Sequence, residues 1–165
     1  MPDLMTTCAP TTRDRADLAA SILFGAVRVG LGLLWLHEGY VKFRAHFGRA
    51  DILLVVDGAS ANSRVPEYFR FMAEHLLRPT ADLAGVMTPL TEVVLGLVLV
   101  LGLFSTPAAV ASAALLAVYW SSDQLIAQYP IMAVLSVGVL VGQGYSNRWT
   151  IMTLVHRRPD PKEEG

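Results

Sequence analysis

Read from its N-terminus, the chain sets long apolar runs between short polar breaks. The runs occupy 18–43, 83–104, 107–124 and 130–155, each near the roughly 20 residues a helix needs to cross a bilayer core. Leu, Ala and Gly are mixed among the β-branched residues, and no run alternates polar and apolar positions as a barrel strand does. Thr106-Pro107 reads as an N-cap before a first-turn proline, and Pro130 opens the last run in the same way. A helical span also satisfies its own backbone hydrogen bonds in lipid. The pattern predicts an all-α integral membrane protein, a four-helix bundle over 18–155 with polar tails at 1–17 and 156–165. Short links after the second and third runs make those neighbours antiparallel.

The link after the first run is long and partly helical in pattern. Its segment "VPEYFRFMAEHLLRP", about 65–78, puts Val65, Phe69, Met72 and Leu76 on one face and Arg70, Glu74 and Arg78 on another. That suits a helix lying on the membrane surface or lidding the bundle mouth. A small solvated helix is the equal alternative.

Composition agrees with lipid as the main solvent. Hydrophobic residues make up 53% of the 165 and charged residues 16%, against about 25% charged in a soluble domain. A net charge of −1 gives no reason to expect a nucleic-acid partner. Cys8 is the single cysteine, so an internal disulfide and a CxxC pair are excluded. The opening "MPDLMTTCAPTTRDRAD" lacks the basic-then-apolar order of a cleaved signal and reads as a retained tail. Basic residues near the span ends are almost evenly divided, with the lean towards both tails in the cytoplasm.

Ionisable residues inside the runs are the candidates for function, because each costs about 2.5–3.5 kcal/mol at mid-bilayer on insertion scales. At 100° per residue Arg28, Gly32, Trp35, Gly39 and Lys42 share a face of the first helix. Gly85, Pro89, Glu92 and Gly96 share one on the second. Counted from opposite edges, Arg28 lies roughly 15 Å and Glu92 roughly 14 Å deep, so the two are expected to meet. Such a pair fixes helix register, whether or not it also does chemistry. His37, Glu38 and Lys42 should share a rim with "YWSSDQ", which brings Trp120 and Asp123. This rim reads either as a functional polar mouth or as ordinary interfacial anchoring. Gln143, beside Gly138 and Gly142 on a small-residue face, is a candidate for hydrogen bonding into the interior.

Several chemistries are excluded. Only His37 lies within a run, so a bis-histidine haem is ruled out, and no zinc-ligand spacing, Walker loop, nucleophile elbow or HExxH motif is present. An intrinsic electron carrier is therefore not expected. Redox work would need a lipid-soluble substrate, of which a quinone is the candidate, or a redox-enzyme partner.

Arg28-x3-Gly32-x6-Gly39-x2-Lys42 resembles the first helix of the DoxX/DoxD family. "TEVVLGLVLVLGLFSTPAA", with Glu92, Gly96 and Gly102, is similar to its second, and "GQGYSN" to its glycine-rich end. Ser105-Thr106-Pro107 and Asn147-Arg148 depart from the family's usual Thr-Arg and aspartate. The resemblance implies a multi-pass protein of the bacterial cytoplasmic membrane. Family members include the small subunit of thiosulfate:quinone oxidoreductase, and others associate with redox enzymes. A non-autonomous subunit of a quinone-linked oxidoreductase is thus the leading expectation. Arg28, His37, Glu38 and Glu92 are then the candidate reactive groups, and Lys42, Trp120, Asp123 and Gln143 the candidate binding groups. A small transporter, with a route made by homo-oligomerisation, and a membrane anchor for a soluble enzyme remain the alternatives.

Overall fold

The computed structural model describes residues 11–124 and 126–146, and every regular element among them is helical. The elements are α1 (Thr12–Arg44), α2 (Arg49–Ala61), α3 (Glu67–Met72), α4 (Ala81–Leu101), α5 (Ser105–Ser121), α6 (Tyr129–Val141) and α7 (Gln143–Ser146). α1 and α4 are each long and apolar enough to cross a membrane. At 17 and 13 residues, α5 and α6 are shorter.

Local chemistry sets the helix ends. The Thr11 hydroxyl accepts from the Asp14 N–H at 3.3 Å while the Thr11 N–H donates to the Asp14 carboxylate at 2.9 Å, a reciprocal cap that starts α1. Gly102, at φ 73°, turns left-handed to stop α4. α5 then begins at Ser105, one residue before the predicted Thr106 cap, with Phe104 as its N-cap. Pro107 still fits, because the first turn has no use for its missing N–H.

Antiparallel packing of α1 on α4 is the main contact of the bundle, and glycine permits it. A Cβ on Gly32 would stand 2.9 Å from the Gly96 carbonyl oxygen, and one on Gly96 would stand 2.7 Å from that of Gly32. Around this seam Leu31, Trp35, Leu95, Leu99, Leu116 and Met132 form the apolar core. Polar groups cross it at one level. The Trp35 indole N–H donates to Ser112 at 2.8 Å, and Ser112 and Ser136 share a bond of 2.8 Å, tying α1, α5 and α6 together.

The predicted fourth run does not continue as one helix. α6 stops at Gly142, where the Phe24 ring fills the space a Cβ would need, and α7 follows. The part of 130–155 beyond 146 lies outside the described residues.

The long connection holds α2, which the sequence pattern did not reveal, and α3. Val56, Ala59, Val65, Phe69 and Ala73 give it a small core of its own. After Met72 the chain widens into a π turn, Ala73–Leu77. The wider turn puts Leu77 inward, while Leu76, predicted to share a face with Val65, Phe69 and Met72, is exposed. The connection is fixed at both ends. Arg49 pairs with Asp82 of α4 at 2.5 Å, and Arg64 and Asn62 reach Asp123 beyond α5 at 2.7 and 2.6 Å. It therefore straddles the bundle end where α1 and α5 finish and α4 and α6 begin.

Gly96→Ala should destabilise the bundle by about 1–3 kcal/mol, because its methyl meets backbone that cannot yield. Gly30→Ala, with nothing within 4 Å, should be neutral or gain up to about 1 kcal/mol of helix propensity. Thermal unfolding in detergent compares the two. A second expectation concerns Glu74, whose carboxyl Arg78 and Ser60 hold down at about 2, below its ordinary 4.5. A depressed carboxylate stabilises the fold fully above its unfolded value and loses that contribution as pH falls through its folded one. The stability advantage of the wild type over Glu74→Gln should therefore shrink between about pH 5 and about pH 2. Solvent screening keeps it small.

Candidate functional site

A charged cluster closes off the bundle interior at the straddled end. Glu92, from the middle of α4, has 0% exposure. Gly39 makes this position possible, since a Cβ there would stand 3.0 Å from the Pro89 carbonyl oxygen, so α1 comes close to the turn before Glu92. Three residues further along α1, Lys42 places its ammonium 2.5 Å from Glu92 Oε1. The same oxygen accepts the Tyr119 hydroxyl of α5 at 2.5 Å. Lys42 also reaches Glu38 Oε2 at 3.3 Å, one turn back on its own helix. Glu38 Oε2 in turn accepts the Tyr129 hydroxyl of α6 at 3.2 Å. The two tyrosine rings stack with centroids 5.2 Å apart, and Lys42 lies 5.2 Å from the centre of the Tyr119 ring.

The result is a continuous chain of hydrogen bonds from Tyr129 through Glu38 and Lys42 to Glu92 and Tyr119, contributed by four helices. One ammonium stands between two carboxylates. Charge-assisted bonds are the stronger class, and in a dry interior each counts for more than in water. One polar atom is left over: Glu92 Oε2 is buried and has no hydrogen-bond partner. Lys42 retains 16% side-chain exposure, so the cluster has a way out.

The predicted residues fall into two groups. Glu38, Lys42 and Glu92 converge. Arg28 does not join them: its guanidinium occupies the space beside Gly102, at the opposite end of the α1–α4 seam. Depths counted inward from the apolar edges put Arg28 and Glu92 level, but the glycine contacts set a different register. Gly32 faces Gly96 and Val100, and Gly39 faces Pro89 and Val93, so Lys42 is the cation brought to Glu92. His37 lies on the exposed face of α1, outside the cluster. Asp123 serves the α2–α3 connection through Asn62 and Arg64. Trp120 is exposed on α5. Gln143 is exposed rather than turned inward, and its Oε1 accepts from Thr106 at 3.3 Å. Tyr119 and Tyr129 were missed as site residues because tyrosines at span ends read as interfacial anchors. A ten-residue spacing across a tight helix link was the signal that could have paired them. Among the described residues no group of His, Cys, Asp and Glu is placed to hold a metal ion.

The outside of the bundle inverts this chemistry. Leu33, Val94, Leu97, Val118 and Val134 are exposed while Glu92 is buried. A water-soluble protein does not spread apolar surface of this extent around its circumference. The fold and site thus define a helical integral membrane protein with a largely buried acid–ammonium–phenol cluster. Residues 23–128 match the sequence model of the DoxX family, and the chain belongs to that family. No curated protein and no solved structure matches it.

Lys42→Met should cost about 3–5 kcal/mol by leaving Glu92 buried without its cation, and adding Glu92→Gln should restore part of that loss. Arg28→Met combined with Glu92→Gln should be additive within about 0.5 kcal/mol. Unfolding of these variants, and of the Arg28→Met and Glu92→Gln single variants, in detergent tests the register directly.

Proposed function

We propose that this chain is a non-autonomous membrane subunit of a bacterial redox assembly, and that the Glu38–Lys42–Glu92 cluster receives the headgroup of a quinone. The carrying observation is Glu92 Oε2, a buried acceptor with no partner, next to an ammonium and two phenols. The residues fit a quinone ring: Lys42, with two of its three N–H groups on Glu38 and Glu92, keeps one for a ring carbonyl. Tyr119 and Tyr129 can turn theirs to the ring by releasing their carboxylates, and Glu92 Oε2 offers a place for a proton or a ligand hydroxyl. A bound quinone would supply the electron-accepting chemistry, with electrons from a partner enzyme. The chain's own part is to orient the ring, exclude water and pass protons along the bonded row. In this reading His37 has no role at the headgroup, and Arg28 serves the α4–α5 turn. With both tails in the cytoplasm, the cluster lies towards the outer face of the cytoplasmic membrane, beneath the α2–α3 connection.

Purified with its co-isolating chains, the wild type should bind a ubiquinone or menaquinone analogue saturably. Glu92→Gln and Lys42→Ala should each weaken binding about tenfold, as expected for loss of a charge-assisted bond, while His37→Ala should leave it unchanged. Absence of saturable binding by the wild type rejects the quinone, and a transporter or anchor role then takes precedence. Liposome flux and identification of the co-isolating chains separate those two.

A further inference from the structure

A cleft on the outer surface leads to this cluster. It lies between α5 and α6 and has a volume of about 290 Å³. Its walls are made by what is missing: Ala113 and Ala117, one turn apart on α5, face Ala133 on α6. Just inside, the Ser112–Ser136 bond of 2.8 Å holds the two helices together. The inner edges of the helices are thus pinned while their outer edges, where Ala113, Ala117 and Ala133 present only methyl groups, stand apart. Val137 and Trp120 line it and are exposed, so it faces the surface assigned to lipid rather than the bundle end.

Two aromatic residues distinguish the cleft from a simple gap between helices. Trp120 lines it and is largely exposed. Tyr129 also lines it, yet is only 4% exposed, because its hydroxyl turns inward to Glu38 at 3.2 Å. Tyr129 is therefore the wall between the cleft and the charged cluster, with its ring on one side and its hydroxyl on the other.

Building on the quinone reading, we propose that this cleft seats the hydrocarbon tail of the ligand, entering sideways from the bilayer, and that Tyr129 is a positioning residue presenting its hydroxyl to the headgroup. The occupant is an amphiphile with a hydrogen-bond-accepting ring and an isoprenoid or alkyl tail. Three observations favour it over a solute from water: an apolar lining, an opening on the lipid-facing side, and a single polar connection placed where the tail would end. The Trp120 ring beside the opening offers an aromatic face for a planar headgroup passing inward.

The test uses the full chain in lipid nanodiscs with its co-isolating partners and two probes: decylubiquinone and the same benzoquinone ring without a tail. Ala133→Phe fills the cleft and should weaken decylubiquinone about tenfold through lost burial of tail methylenes, leaving the tail-less ring unchanged. Tyr129→Phe should weaken both probes by a similar factor, since each uses the hydroxyl. A photoreactive azidoquinone with an alkyl tail, applied to the wild type, should label α5 and α6 peptides containing Ala117 and Ala133. This labelling needs no variant to fold. The tail site is overturned if the tailed probe binds the wild type but ignores Ala133→Phe and labels elsewhere. It is also overturned if filling the cleft displaces only bilayer phospholipid. Failure of both probes to bind the wild type at all rejects the quinone reading itself, a different result.

Discussion

Glu92 brings a carboxylate into the interior of an apolar bundle, and the rest of the architecture answers to it. A buried anion needs a cation and hydrogen-bond donors from more than one direction. Lys42 supplies the first from α1 and Tyr119 the second from α5. Reaching Glu92 requires α1 to come very close to α4, which is why Gly32, Gly39 and Gly96 lie along their contact. Lys42 in turn needs its own neighbour in Glu38, and Glu38 draws in Tyr129 from α6. Glu92 and the groups that answer to it thus link α1, α4, α5 and α6, and they set the register of these helices together with the glycine seam.

The site and the surface divide the work. Outside, apolar side chains meet hydrocarbon and leave the helices no strong preference for one arrangement, since lipid tails are as apolar as leucine. Inside, the Trp35–Ser112–Ser136 row and the charged cluster provide that preference through directional bonds. The α2–α3 connection adds a third component, a small folded unit with its own core, tied to α4 by Arg49–Asp82 and to the end of α5 by Arg64–Asp123. Its position over the cluster end gives the charged groups a cover on the water side, while the α5–α6 cleft leaves them approachable from the side.

Much of this was legible in the chain. The first two apolar runs gave the long helices α1 and α4, the third and the start of the fourth gave the shorter α5 and α6, and Gly32, Gly39 and Gly96 marked the close seam. Glu38, Lys42 and Glu92 stood out as ionisable groups in apolar surroundings. The choice of Arg28 as the partner of Glu92 failed because depth was measured from the apolar edges. Edges blur by a turn or more, whereas glycine contacts fix register to the residue. Tyr119 and Tyr129 were hidden by their similarity to interfacial anchors. α2 was missed because thirteen residues with a weakly amphipathic face, "RADILLVVDGASA", resemble a loop when no partner is in view. The π turn that exchanges Leu76 for Leu77 is invisible to any fixed period, because it changes the period itself.

The two polar levels have a mechanical consequence. Trp35 is bonded to Ser112 in mid-bundle, and seven residues along the same helix Lys42 is bonded to a carboxylate that Tyr119 also holds, seven residues beyond Ser112. Sliding α5 along α1 by one helical turn, about 5.4 Å, would break both sets of bonds together, so the bundle is keyed against shear. Any motion that admits a guest to Glu92 must therefore come from tilting helices apart at their outer edges or lifting the α2–α3 unit. The cleft between α5 and α6 already shows where the first of these movements has least to undo.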